Sequence, residues 1–107
     1  MPLTRDFKHT VLIRVRRDPA FAKGLLDEAA TLFLNGRPEA ARLILRDLVN
    51  ATVGFEKLAA MTDKPSKSLQ RMLSQKGNPS MDNLAAIFDA VRRRLKVGIR
   101  VRTVAAA

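Results

Sequence analysis

Residues that start and stop helices constrain the fold of this chain more than any other feature. Asp18-Pro19 predicts a helix start, because aspartate is a preferred N-cap and a proline in the first turn loses no hydrogen bond. Asn35-Gly36 predicts the end of the same helix. The apolar residues between these signals recur at three- and four-residue spacing: Phe21, Leu25, Leu26, Ala29, Leu32 and Phe33. One amphipathic helix is therefore predicted here.

A second amphipathic helix is predicted from Pro38 to the stop at Gly54. Its apolar stripe consists of Ala41, Ile44, Leu45 and Leu48. This spacing places Arg42 and Arg46 on the solvent face.

The segment from Phe55 to Val91 has the pattern of three short helices, "FEKLAAMT", "SKSLQRMLS" and "SMDNLAAIFDAV". Lys64 lies outside the first of them, because the residue before a proline avoids helical geometry. Two short helices joined by a three-residue turn form a helix-turn-helix unit. Small Ala59 would let the two helices cross closely, with Leu58, Leu69 and Met72 between them.

Positive charge is concentrated at the two ends of the chain. The net charge is +10 and the pI about 11.3. Residues 1–17 carry five bases and one acid, residues 18–63 five bases and seven acids, and residues 64–107 ten bases and two acids. This distribution indicates a polyanionic partner, nucleic acid first and an anionic membrane second. The alternative is a soluble protein that is basic overall.

The second helix of the helix-turn-helix unit carries the candidate DNA contacts. In this motif that helix lies in the major groove, where arginine can grip guanine and glutamine can grip adenine. Its outward side chains, the predicted base readers, are Lys67, Ser68, Gln70 and Arg71. The predicted phosphate contacts are Lys64, Ser66, Lys76, Asn78 and Ser80, of which Ser80 is also the predicted N-cap of the third helix. The alternative is an ordinary three-helix packing with a solvated basic surface.

Both ends of the chain contain a possible strand. Residues 7–17 fit a helix with Phe7, Val11, Leu12 and Val15 on one face, or a strand in which Val11, Ile13 and Val15 alternate with arginines. In the tail, Leu95 to Val104, apolar residues alternate with Lys96, Arg100 and Arg102, which predicts a strand. An unpaired strand invites association, so a homodimer is predicted.

Several functional classes are disfavoured. The chain has no cysteine and one histidine, so we expect no metal and no cofactor. Neither a phosphate-binding glycine loop nor a nucleophile motif is present, so an enzyme is not expected. No apolar run of membrane-spanning length occurs and "MPLTRDFKHT" lacks a signal-peptide core, which predicts a cytoplasmic location. RNA binding is less favoured than DNA binding, because there is no tyrosine or tryptophan to stack on bases.

The stretch "GFEKLAAMTDKPSKSLQRMLSQKGNPSMDNLAAIFDAV" resembles the Xre/Cro-repressor-like helix-turn-helix family, and more narrowly the HigA-like antidotes of addiction modules. With "RDPAFAKGLLDEAATLFLNGRPEAARLILRDLVNA" upstream, the resemblance covers roughly residues 5–95. It departs from the family pattern in the turn, where Asp63, Lys64 and Pro65 replace a glycine, an apolar residue and a capping serine. Aspartate tolerates left-handed backbone, and Ser66 is predicted to take over as the N-cap.

The resemblance implies an all-α helix-turn-helix bundle with a helical lead-in at residues 1–36 and a DNA-binding domain at residues 37–94. The alternating pattern of the tail adds a predicted dimerising strand at residues 95–107. The resemblance also implies a dimer that binds operator DNA, often represses its own operon and neutralises a small RelE-like ribonuclease toxin. A two-fold dimer in turn predicts an inverted-repeat operator. The alternatives are a stand-alone transcriptional regulator, and a toxin-binding protein with little DNA binding.

Overall fold

The computed structural model describes residue 10 and residues 12–106, and every regular element in that part of the chain is a helix. The first, α1, covers residues 12–17. The others are α2 (Pro19–Leu34), α3 (Pro38–Ala51), α4 (Phe55–Thr62), α5 (Ser66–Met72) and α6 (Met81–Leu95). The all-α part of the predicted fold class is thus confirmed. None of the helices among these residues has the length and apolar character needed to cross a bilayer.

The predicted boundaries of α2 are confirmed by their hydrogen bonds. At its start, the Asp18 carboxylate accepts from the backbone N–H groups of residues 20–21 at 3.1 and 3.3 Å. At its end, Gly36 has a φ of +79°, and the Arg37 N–H donates to the Leu32 carbonyl at 2.8 Å. A left-handed residue followed by this hydrogen bond is the Schellman ending, which favours glycine because it has no Cβ. The next helix begins at Pro38, as predicted.

The apolar faces of the helices meet in one core. α2 packs most extensively on α3, and α6 packs against both α2 and α4. The largest fully buried side chains are Leu26, Leu45, Leu48, Val49, Leu58, Leu69, Leu73, Ile87 and Val91. They come from each of the helices α2 to α6 and from the C-cap of α5, so α2 shares this core with the helices predicted to form the helix-turn-helix unit.

The helical alternative is correct for the described part of the N-terminal segment. Residues 12–17 form α1, with Val15 buried and Leu12 half-buried on one face, whereas Ile13 is exposed. A strand would have placed Ile13 and Val15 on the same side. The Arg14 guanidinium lies 4.7 Å from the centre of the Phe21 ring, which ties α1 to α2. The other positions of the 7–17 segment, residues 7–9 and 11, lie outside the described residues.

The C-terminal strand predicted from Leu95 to Val104 is not formed in the single chain. Leu95 is the last residue of α6, Lys96 ends that helix with a left-handed φ of 59°, and residues 97–106 have no regular secondary structure. The alternating pattern serves packing instead: Val97 packs on the core, and Ile99 and Val101 line an apolar cleft between α2 and α6. The described residues provide no second strand with which this segment could pair.

Candidate nucleic-acid interface

The turn between α4 and α5 is built on Asp63. Its backbone is left-handed, with φ 54° and ψ 43°, and the Lys64 N–H donates to the Ala59 carbonyl at 3.2 Å. Aspartate adopts this conformation at lower cost than most residues. Asp63 therefore supports the tight turn at a position where glycine is the usual residue, and Lys64 lies outside α4, as predicted.

The N-cap of α5 is Pro65, so the prediction of Ser66 as N-cap is wrong. Pro65 has extended geometry, with φ −63° and ψ 139°, and no side chain caps the helix. Because proline already fixes the backbone that an N-cap needs, the helix begins one residue earlier than a serine cap would allow. The Ser66 hydroxyl instead accepts a hydrogen bond of 3.1 Å from the Gln70 side-chain amide.

The buried side of α5 determines which residues face outward. Leu69 and the C-cap residue Leu73 are fully buried, and Met72 is half-buried against the same core. Leu58 of α4 is fully buried and Ala59 half-buried, which agrees with the predicted helix packing. The helix is thereby fixed in rotation about its axis, with one side held in the core.

Three of the four predicted base readers fall on the exposed side of α5. Lys67, Gln70 and Arg71 are exposed, whereas Ser68 is half-buried. Residues three and four positions apart share one helix face, so Lys67, Gln70 and Arg71 form a single exposed row. We call this row the α5 face.

The predicted phosphate contacts lie on both flanks of α5. Lys64 and Ser66, before and at its start, are half-buried, whereas Lys76, Asn78 and Ser80 in the following loop are exposed. Ser80 is the N-cap of α6, as predicted, and its hydroxyl accepts from the Asn83 N–H at 3.1 Å. The loop therefore exposes basic and polar side chains directly after α5.

Arg42 was predicted on the solvent face of α3, and this is wrong. Its side chain is only 9% exposed and makes two hydrogen bonds to the loop after α5. Nε donates to the Ser74 carbonyl at 3.1 Å, and Nη2 donates to the Gln75 carbonyl at 2.9 Å. Arg42 is flanked by buried Ala41 and lies one turn before buried Leu45, so it sits at the edge of the apolar stripe. From that edge a long side chain can cross apolar surface to reach a polar partner.

Gly77 is a second residue that the sequence reasoning missed. A Cβ at this position would overlap the Met72 carbonyl oxygen and lie 2.6 Å from that of Arg71. The Gly77 N–H also donates to the Ser74 carbonyl at 3.0 Å. The sequence signal was a glycine in the loop that follows α5. Glycine is the residue used where the backbone passes close to another part of the chain, which here is the end of α5.

The charges on the α5 face are not neutralised by nearby acids. In residues 12–106 the ion pairs are Arg14 with Asp18, and Arg92 and Arg93 with Asp89, at N–O distances of 3.9, 2.6 and 3.1 Å. Lys67 and Arg71 are in none of these pairs, so their charge is available to a ligand. The same described residues contain no group of three His, Cys, Asp or Glu side chains placed to hold a metal ion.

A polyanion could lie across α5, because the α5 face is exposed, the loop after it is basic, and Lys67 and Arg71 form no ion pair within residues 12–106. In comparisons with known proteins, the chain matches no family model, no curated protein and no solved structure.

Proposed function

We propose that the chain is a sequence-specific DNA-binding protein of the helix-turn-helix type that reads the major groove with α5. The observation that supports this most directly is the division of α5 into two sides. Leu69 is held in the core, while Lys67, Gln70 and Arg71 form one exposed row. From Lys64 to Met81 there is no acidic residue that would repel phosphates.

The row offers the donors that base edges require. Arg71 can donate two hydrogen bonds to guanine, and Gln70 can pair with adenine. Gln70 is bonded to Ser66 in the free protein, so reading a base requires exchange of that hydrogen bond for a base contact. Lys76 and Asn78 in the loop, together with Lys64 before the helix, supply phosphate contacts that fix the orientation of α5 in the groove.

Duplex DNA is favoured over single-stranded RNA by the placement of the aromatic side chains. Phe55 is buried, Phe33 and Phe88 pack edge to face with ring centres 5.7 Å apart, and Phe21 lies beneath the Arg14 guanidinium. Among the described residues, no exposed aromatic ring lies on the α5 face to stack on an unpaired base.

We further propose that the protein is the antitoxin of a type II toxin-antitoxin module, a cytoplasmic repressor that neutralises a RelE-like toxin. This part rests on the resemblance of residues 5–95 to HigA-like antidotes. A neighbouring reading frame that encodes a small basic protein, and co-purification of its product with this chain, supports the antitoxin function. Absence of such a gene favours the stand-alone regulator.

The central experiment is selection of duplexes from a random library with the purified protein, followed by measurement of affinity for the selected site and for a scrambled duplex at several salt concentrations. We expect a selected inverted repeat that binds at least about a thousandfold more tightly than the scrambled duplex. Equal affinity for the two duplexes contradicts sequence-specific reading by α5.

A further inference from the structure

We propose that Arg42 is a positioning residue for DNA: with Gly77 it holds the loop after α5 so that Lys76 meets a phosphate. This inference rests on the proposed DNA-binding function and adds a residue from α3 to it. Arg42 itself does not touch the nucleic acid, because its guanidinium is buried beneath the loop.

The Arg42 guanidinium is buried although it is charged, and its hydrogen bonds to the loop account for this. It is the only charged side chain that is buried among the described residues. Removing a guanidinium from water is unfavourable unless its N–H groups are hydrogen-bonded. Here the partners are two neutral carbonyls, those of Ser74 and Gln75, in place of a carboxylate. Its positive charge is therefore not cancelled by a neighbouring negative charge, and it is held next to Lys76.

The two hydrogen bonds fix the loop at the residues directly before Lys76. The planar guanidinium donates along two fixed directions, so it sets the orientation of both carbonyls at once. On the other side of Lys76, Gly77 packs against the carbonyl oxygens of residues 71–72, where any Cβ would overlap them. Lys76 thus lies between two restrained neighbours in a segment that has no regular secondary structure.

A restrained loop strengthens DNA binding because less conformational entropy is lost when Lys76 contacts the phosphate. Without the hydrogen bonds from Arg42, the loop would sample other positions, and part of the binding energy of Lys76 would be used to order it. The effect acts on a phosphate contact, so it applies to specific and random DNA alike.

The first measurement needs no DNA. Amide hydrogen exchange by NMR is compared for the parent, Arg42→Met, Arg42→Lys and the control Arg46→Met, which removes a charge from the same helix. We expect about tenfold faster exchange or more at the Gly77 amide in Arg42→Met, because one charge-assisted hydrogen bond contributes at least that factor. In Arg42→Lys, whose ammonium group donates from a single nitrogen, the Gly77 amide should exchange at an intermediate rate. Core amides of α2 should be unchanged, which separates loop release from general unfolding. Unchanged exchange at Gly77 in Arg42→Met overturns the inference.

The second measurement is a double-mutant cycle between Arg42 and Lys76 on DNA, at a temperature where thermal melting shows all variants folded. We expect Arg42→Met to weaken binding to the selected site and to random duplex about equally, and Lys76→Ala to cause less further loss in that background than in the parent. Arg46→Met should show no such coupling. Strictly additive losses overturn the positioning role but leave the DNA-binding function intact. If the parent binds no DNA, the proposed function and this inference fail together.

Discussion

Arg71 and Lys76 carry the same charge and are both exposed, yet we expect Arg71 to contact a base edge and Lys76 to contact a phosphate. Arg71 lies on the side of α5 opposite the buried Leu69, where its side chain can reach a base edge. Lys76 lies in the loop held by Arg42, after the helix, where we expect it to contact the phosphate backbone. The two substitutions therefore separate base reading from charge attraction.

Replacement of Arg71 by alanine should weaken binding to the selected site by about 1–3 kcal/mol and relax the preference at one base pair. The reason is loss of a paired donor to a base edge, which no neighbouring residue replaces. Competition binding at matched salt measures the effect, with Lys23→Ala on α2 as the control for loss of one exposed charge. If Arg71→Ala binds the selected site as tightly as the parent, α5 is not in the groove as proposed.

Replacement of Lys76 by alanine should weaken binding to selected and random duplexes equally, since a phosphate contact carries no base information. The slope of log affinity against log salt should fall by about one unit, because one fewer counterion is released. Binding isotherms at four or five salt concentrations measure this slope. A loss confined to the selected sequence would instead place the loop in a groove.

At the scale of the helices, the sequence predicted most boundaries because each depended on one or two neighbouring residues. Asp18-Pro19 and Gly36 set the two ends of α2 and Pro38 sets the start of α3, and the structure has them there. The end of α3 was predicted at Gly54, but the helix ends at Ala51 and Gly54 is the N-cap of α4. Ser66 was assigned wrongly because Pro65 competes for the same cap position. Arg42 was missed because its partners are 32 and 33 residues away, and no periodic pattern encodes so distant a contact.

The start of α6 offers a test that separates helix capping from DNA contact. Ser80→Ala removes the hydroxyl that accepts from Asn83, and should cost about 1 kcal/mol of folding free energy. Ser80→Asp keeps an accepting oxygen and adds favourable charge at the helix N-terminus, so stability should be retained. The added charge should nevertheless weaken DNA binding if a phosphate lies there. Thermal melting and duplex titration of both variants measure the two effects. Parent-like DNA binding by Ser80→Asp would remove Ser80 from the proposed contact.

At the scale of the whole molecule, the exposed apolar surface of the tail and of Met81 is where we expect two copies to associate. Met81, Val101 and Val104 are 73%, 64% and 79% exposed, and the first two line a cleft over the Phe33–Phe88 pair. The backbone groups of residues 98–106 make no hydrogen bonds within the described part of the chain. Two-fold pairing of the tails would satisfy those groups and cover the apolar residues. Since Met81 follows Ser80 directly, such an interface would lie next to the proposed DNA-binding loop.

Two-fold pairing predicts two α5 helices about 34–36 Å apart and hence an inverted-repeat operator. Changing Val101 and Val104 to glutamate should give a folded monomer, because both side chains are already exposed in the single chain and their replacement costs little folding energy. Circular dichroism should stay helical, while sedimentation shows a monomer and binding to the repeat loses cooperativity.

Leu43→Glu, at an exposed apolar residue on α3, is the matched control and should stay dimeric. Deletion of residues 98–107 should act like the double glutamate variant, since it removes the tail but leaves α6 and Val97 in place. A double glutamate variant that still sediments as a dimer would move the interface to another surface, of which the helices within residues 19–50 are the first to examine.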